Sequence, residues 1–355
     1  MTNIEVQLIN LINKNKSLNE IENVLNLTRK QLYRKLLKLK NNGYAITNEY
    51  YYNGDITYLL HSSDKVSKNI DNNVTINMPD KENTFKAIII SDIHIGCDKQ
   101  GLNVLNYIYD YCIKNNIHII LNAGDLIDGW FGQNKKLNKD IEHQLQYLIK
   151  KYPFDKNILN FICLGNHDLN SYQKFGIDLK IILANYRHDL VAFASGIGHV
   201  HVKNDDIILC HPINHNKSKF SEIEDSIIFK GHHHKYATDF NEFFHNHIIC
   251  IPTLSNIFLN NQFPLPSALE IEFTINSNGK FTEGIVNQLI FVDNNLIKIN
   301  EMKISNFHKK YIQNNNNNKK SNKQKNENSN KSKKENEHHE YSNEQSKVYT
   351  KIKNS

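Results

Sequence analysis

No apolar run in this 355-residue chain approaches the ~20 residues a membrane span needs, and Met1–Lys14 lacks the basic start and apolar core of a signal peptide. A soluble protein with no membrane partner is expected. Cysteine is sparse: Cys97, Cys112, Cys163, Cys210 and Cys250 are odd in number, show no C-x-x-C spacing and fall mostly in strand-like runs. That argues against a disulfide framework and favours buried thiols in a reducing compartment, the cytoplasm. What remains, at 39% hydrophobic residues, is enough for one domain of about 200 to 250 residues plus a smaller one.

The formal net charge of +6 is unevenly placed, because twelve Lys against five Glu follow from Lys309 onward. Residues 306–355 run from Asn314–Asn318 into Lys, Asn, Ser and Glu with almost no apolar side chains. Such a segment cannot offset its own ordering entropy and reads as a disordered, solvated tail.

Residues 1–62 read as a unit of their own. Ile4, Leu8, Leu11 and Ile12 recur at helical spacing, and Ser17-x-x-Glu20 and Thr28-x-x-Gln31 are capping-box signatures before two further apolar stripes. Gly43 suits the stop of the third helix, and Asn53-Gly54 between two aromatic and β-branched runs signals a hairpin. Three helices and a hairpin resemble a winged helix-turn-helix. Lys30, Arg34 and Lys38 recur on the face opposite Leu32, Leu36 and Leu39, and no acid occurs between Thr28 and Gly43. A helix in a DNA major groove would need such a face; a solvated face or a protein-docking module is the alternative. Residues 63–85 are polar and read as a linker.

From Lys86 on, strand-like runs alternate with helix-like patterns over Leu102–Cys112 and Ile141–Ile149, the signature of a parallel-rich sheet with outer helices. His199–Val202, Ile207–Cys210, Ala268–Thr274 and Ile285–Val292 suggest an antiparallel-leaning second sheet. The expected architecture is therefore α/β, two sheets flanked by helices. Five runs end in Asp, Asn or His: Ser91-Asp92-Ile93-His94, Gly124-Asp125, Gly165-Asn166-His167-Asp168, Cys210-His211 and Gly231-His232-His233-His234. Open α/β sheets place their chemistry at such strand ends.

Asp92 and His94, two residues apart, can face one side of an extended strand end. The oxygens of Asp125 can bridge two cations, Asn166 offers an amide oxygen, and His211, His232 and His234 offer ring nitrogens. Mixed oxygen and nitrogen donors without thiolate suit Mn²⁺, Fe, Ni²⁺ or Zn²⁺, with manganese the ion expected. Two carboxylates against two divalent cations and one hydroxide leave positive charge for an anionic, electrophilic substrate, a phosphate ester.

These motifs, in this order, resemble the calcineurin-like metallophosphoesterase family, whose pattern is D-x-H, G-D-x-x-D, G-N-H-D/E, a lone His and G-H-x-H. The resemblance is close over residues 86 to about 256 and looser to about 300. It implies a two-sheet α/β/β/α sandwich over residues 86–305. It also implies one metal on Asp92, His94 and His234, a second on Asn166, His211 and His232, and Asp125 bridging them. A metal-activated hydroxide would attack the phosphorus, with the ions ~3.5 to 4 Å apart. His167 would then protonate the leaving group, and Asp168 would orient His167. His233 fills the variable slot and Asp128 supports its loop. Pro252-Thr253-Leu254-Ser255 departs from the family's usual Asn-Pro-Gly-Ser, which leaves that loop's role open. The pairs His199/His201 and His245/His247 read as ordinary surface or packing residues. Trp130 and Phe131 read as packing, with stacking on a base or aryl group as the alternative. The short stretch between His211 and His232 leaves no room for a capping domain, so an open site is expected.

Two function classes follow. One is a phosphatase or phosphodiesterase, with nuclease activity in view if the amino-terminal unit meets DNA. The other is a DNA-binding or regulatory protein in which the phosphoesterase domain only scaffolds. The intact ligand set favours the enzyme.

Overall fold

The structure is a computed structural model that describes residues 2–61, 72–129, 141–212, 226–242, 245–257 and 265–305. The Asn/Lys-rich tail from residue 306, Trp130, Phe131 and residues 213–225 between His211 and His232 lie outside the described residues. No helix among those described is long and apolar enough to cross a membrane.

Three capping boxes start the chain. Thr2, Ser17 and Thr28 each accept an N–H one turn ahead while Glu5, Glu20 and Gln31 reach back, opening α1 (Asn3–Asn13), α2 (Leu18–Leu25) and α3 (Arg29–Asn41). The hairpin β1 (Ala45–Tyr51) and β2 (Ile56–His61) follows, its turn resting on Gly54 at φ 80°. β3 (Asn73–Asn77) then falls inside the segment expected as a linker, pairing parallel to β1. Its period-2 pattern is short but real: Val74 and Ile76 are buried between polar neighbours.

The chain continues through β4 (Thr84–Ile90), α4 (Leu102–Asn115), β5 (Ile119–Asn122), α5 (Ile141–Lys151) and β6 (Leu159–Ile162). Next come α6 (Asn166–Phe175), α7 (Leu179–Tyr186) and β7 (Leu190–Ala192). β4 to β7 pair in parallel. Their unbroken apolar runs reflect cover on both faces: Ala87 and Ile89 point into the core between the sheets, Ile88 and Ile90 into the cluster shared with α4, α5 and α7.

β8 (Ile197–Val202), β9 (Asp205–Cys210), β10 (Ile227–Lys230), β11 (Ala237–Asn241) and β12 (Asn246–Cys250) build the other sheet, ordered β11-β12-β10-β9-β8-β3-β1-β2. β9, β10 and β12 run parallel there, so this sheet is mixed. The last strands, β13 (Ser267–Ile275), β14 (Phe281–Val292) and β15 (Asn295–Ser305), correct an expectation. They join the first sheet, β13 lying antiparallel to β4 with Leu269 opposite Ile89. Alternation shows that a run is a strand; which open edge it meets depends on where the earlier strands leave one.

The amino-terminal hairpin thus extends the eight-stranded sheet, within one compact unit spanning Met1–Phe307. The Tyr58 hydroxyl, fully buried, lies 2.7 Å from His188 Nδ1, and the Tyr33 ring stacks on His188 at 3.8 Å. Tyr50 meets Phe161 of β6 edge-on at 5.3 Å, and the Tyr52 hydroxyl accepts the Lys86 N–H at 2.8 Å. Such aromatic pairs add roughly 0.5 to 1.5 kcal/mol each beyond their buried area.

Candidate metal centre

All five sequence motifs meet at one end of the two sheets, on the loops after β4, β5, β6, β9 and β10. The loops are locked by backbone bonds. Asp92 N–H donates to Gly124 C=O, and Ile93 and His94 N–H both donate to Asp125 C=O. Asp92 and His94 do not lie on an extended strand, as their spacing suggested. Both sit past the end of β4 in left-handed backbone, at φ 56° and 51°. Asp125, His232 and His234 share that region at 54°, 80° and 55°. Each non-glycine residue there costs on the order of 1 to 3 kcal/mol, and such strain gathers where function over-determines the backbone. Gly165 permits the closest approach: a Cβ there would lie 2.1 Å from Asp125 Oδ1.

The expected ligands converge in two of three metal-capable groups found among the described residues. Asp92, His94 and His234 place one ligand atom each within 4.8 Å of one another, as do Asp125, His211 and His232; His94, Asp128 and His167 form a third such group, which overlaps the first at His94. Asp125 Oδ2 lies 3.9 Å from His94 Nε2 and 3.2 Å from His211 Nε2, so it stands between the clusters. Asn166 Oδ1 lies 3.1 Å from both His211 Nε2 and His232 Nδ1, which puts it in the second cluster. All seven expected ligands are therefore at one place. His233 is exposed. His201 pairs with Asp206, and His247 packs on Phe240. Neither surface pair belongs to a metal-capable group among the described residues.

The donor set fits cations. Asp92 Oδ1 and His94 Nδ1 are buried without a hydrogen-bond partner, a costly state unless something positive neutralises the cluster. His94 Nε2 and His234 Nε2 face each other at 3.4 Å, and at most one proton fits between them. His211 is oriented for a cation: its Nδ1 lies 2.6 Å from the Ala123 carbonyl, which only accepts, so Nδ1 carries a proton and Nε2 is the atom turned toward Asp125, where a bound cation would displace any proton it holds. Electrostatics agree. Burial alone would raise Asp92, but the His234 ring beside it holds the carboxyl at about 2. Burial likewise opposes ionisation of Asp125, and His211 overrides it to keep that carboxyl well below the ordinary range. Burial pushes His94 down to about 4, whereas His211, buried equally, is lifted to about 9 by the Asp125 charge.

His167 occupies the first turn of α6, its N–H donating to Asp125 Oδ1 at 2.9 Å. The ring is held by the Asp128 carbonyl, 2.6 Å from Nδ1, leaving Nε2 4.0 Å from Asp125 Oδ2. Asp168 does other work than expected. Its carboxylate accepts the N–H groups of Leu126, Ile127 and Gly165, which ties the Asp125 loop to the start of α6.

Two supporting residues escaped sequence reasoning. Gln144 on α5 accepts the Gly129 N–H and donates to the Gly129 carbonyl, at 2.9 and 3.0 Å, fixing the loop that carries Asp128. Its signal was available: a Gln on the same buried stripe as Ile141, Leu145 and Leu148. Thr253, in the departing Pro252–Ser255 loop, donates its hydroxyl to the Asp92 carbonyl at 2.9 Å, and Leu254 N–H bonds the Ser91 carbonyl. That loop braces Asp92.

The fold is two sheets whose strand ends gather metal-capable side chains. Residues 85–253 match the calcineurin-like phosphoesterase family model and form a domain of that family. The double-strand break repair protein MRE11 of Gallus gallus is 29% identical over 138 residues, 37% of this chain and 18% of the relative, so the match spans under a fifth of that protein. Solved structures similar to this chain include a predicted phosphoesterase of Streptococcus pneumoniae, at 14% identity and TM-score 0.35, with 63% of this chain and 99% of that chain covered. Pseudomonas putida nuclease MPE is similar at 11% identity and TM-score 0.30, over 60% and 87% of the two chains.

Proposed function

We propose that this protein is a metal-dependent phosphoester hydrolase that cleaves diesters and acts on nucleic acid. The observation that carries the reading is the pair of ligand clusters joined by Asp125, with His167 fixed beside them. Asp92, His94 and His234 would hold one ion, and Asn166, His211 and His232 the other. Two divalent ions, manganese in the first place and iron, nickel or zinc otherwise, supply the Lewis acidity that activates water and neutralises the phosphate.

The chain does the rest. The Asp128 carbonyl holds the Nδ1 proton of His167 and turns Nε2 toward the site; as the imidazolium, the ring gives its Nε2 proton to the departing alkoxide and is left as the neutral Nδ1–H imidazole. The first N–H groups of α6 favour negative charge at the same place. Asp168, Gln144 and Thr253 hold the three loops against displacement when an anion enters. Lys30, Arg34 and Lys38 are exposed on one face of α3 as nucleic-acid contacts, although Lys38 also pairs with Glu5 at 2.7 Å. The MRE11 relative, a double-strand break repair protein, is consistent with that class of substrate. The five free thiols fit a reducing, cytoplasmic setting.

The test is metal content with hydrolysis. After reconstitution with Mn²⁺, elemental analysis should find two ions per chain. Bis-p-nitrophenyl phosphate should be cleaved faster than the monoester, and a chelator should abolish this reversibly. One ion or none refutes the dinuclear reading. Two ions with no hydrolysis of any ester would favour the scaffold role.

A further inference from the structure

α3, α5 and α7 enclose a groove of about 950 Å³ away from the metal ligands. Five cations and two carboxylates line it, and two of the cations are engaged: Arg29 with Glu22 and Arg187 with Asp189, each at 2.7 Å. Lys30, Arg34 and Lys150 are exposed and have no carboxylate partner among the described residues. Between them the lining is largely apolar and aromatic, with Phe154 50% and Tyr186 60% exposed although both rings are large. The guanidinium carbons of Arg29 and Arg187 lie 5.9 and 5.7 Å from the Phe154 centroid, and the ring's remaining half is exposed; solvated cations beside half-exposed aromatic rings are the combination that holds a single nucleic-acid strand, phosphates on the charges and bases on the rings. A duplex hides its base faces, and an acidic peptide has none to stack.

Residues from Glu142 to Lys150 on one side of α5 line the groove, and this 11-residue helix spans roughly 16 Å, room for a few nucleotides. At its Glu142 end α5 carries Gln144, whose amide clamps Gly129 beside the residue that positions His167. The groove thus shares α5 with the residue that clamps the Gly129 loop.

We propose that the α3/α5/α7 groove binds single-stranded nucleic acid, with Lys30, Arg34 and Lys150 on its phosphates and Phe154 and Tyr186 stacking its bases. This rests on the phosphodiesterase reading for its purpose, not for its binding chemistry.

The probe is a fluorescent 12-nucleotide oligo-dT, titrated by anisotropy against the full chain over a range of salt, with a 12-base-pair duplex and poly-glutamate as competitors. Log affinity should fall with log salt, and Lys30→Gln/Arg34→Gln/Lys150→Gln should flatten that slope by about two, at ~0.7 per phosphate contact. Phe154→Ala with Tyr186→Ala should weaken binding roughly tenfold or more without changing the slope. The Lys-rich tail is present in every arm and cancels. Should the triple variant misfold, Lys150→Gln alone reads out as a slope change of about 0.7. An unchanged slope, an indifferent aromatic variant, or competition by duplex or poly-glutamate as strong as by oligo-dT overturns the proposal. Hydrolysis of bis-p-nitrophenyl phosphate by the wild type, measured in parallel, separates the two readings: its absence with groove binding intact refutes the enzyme alone, and the converse refutes the groove alone.

Discussion

The rim of strand ends and the amino-terminal helices with their hairpin solve opposite problems. At the rim, five of the seven candidate ligand residues stand in left-handed backbone, and Asp92 Oδ1 and the Nδ1 atoms of His94 and His234 are buried without hydrogen-bond partners. At the amino terminus every helix begins with a satisfied capping box, and Leu8, Leu32, Leu36 and Tyr58 are fully buried. The strained region is held by its neighbours' backbones, while the relaxed one is held by its own side chains. Among the amino-terminal helices left-handed backbone falls on Asn15 and Asn26, a residue type that tolerates it in turns, whereas at the rim it falls on Asp and His side chains where charge converges. Changes at the rim should alter chemistry before stability, and changes at the amino terminus the reverse.

The largest effect expected at the rim comes from Asp125→Asn, because both clusters share this carboxylate. Elemental analysis should show both ions weakened, and hydrolysis should fall by more than the ~10- to 100-fold typical of a supporting residue. Loss of a single ion would confine Asp125 to one cluster. His167→Asn should keep both ions and lower turnover by roughly 10² to 10⁴ on esters with poor leaving groups. The loss should be smaller with p-nitrophenolate, which needs little protonation; equal losses on both would make His167 a phosphate-positioning group instead. Thr253→Val removes the hydroxyl that braces the Asp92 carbonyl, and should weaken metal binding by about 10- to 100-fold. Thr253→Ser should restore it, and a Val variant with unchanged metal titration would show the brace to be dispensable.

The smallest effect on chemistry is expected at the amino-terminal seam, where burial, with Lys40 and Arg29 nearby, lowers His188 to about 3. The unfolded chain takes up this proton near pH 6.5 and the folded chain only near 3. Between those values the unfolded state binds more protons, so stability falls as pH drops through that window, by on the order of a few kcal/mol, and is flat above it. In His188→Phe, the unfolding free energy from denaturant titration at pH 8 should fall by about 1 to 3 kcal/mol, because the Tyr58 hydroxyl loses its partner. The difference from wild type should shrink toward pH 4. A constant difference across pH would exclude His188 as the group responsible. Diester hydrolysis at pH 8 should be unchanged.

Much of this was legible because the informative residues are local. S-x-x-E and T-x-x-Q boxes, Asn53-Gly54 and unbroken runs such as Ala87–Ile90 each state their structure within a few residues, since caps, turns and two-faced burial are short-range demands. The ligand types were legible for the same reason, as each follows its strand directly. Thr2-x-x-Glu5 was equally local and was passed over, as was the Val74/Ile76 alternation inside a polar stretch. Other features depend on partners far along the chain. The sequence alone determined which side chains could ligate and which runs could be strands, because donor chemistry and periodicity are properties of residues. Only the tertiary structure decided that β13 and β14 complete the first sheet, that the hairpin belongs to the second, that Asp168 serves the loops while the Asp128 carbonyl holds His167, and that Lys150 joins Lys30 and Arg34 around one groove. Each of these is settled by which surfaces close against one another, and that choice is made by the whole chain at once.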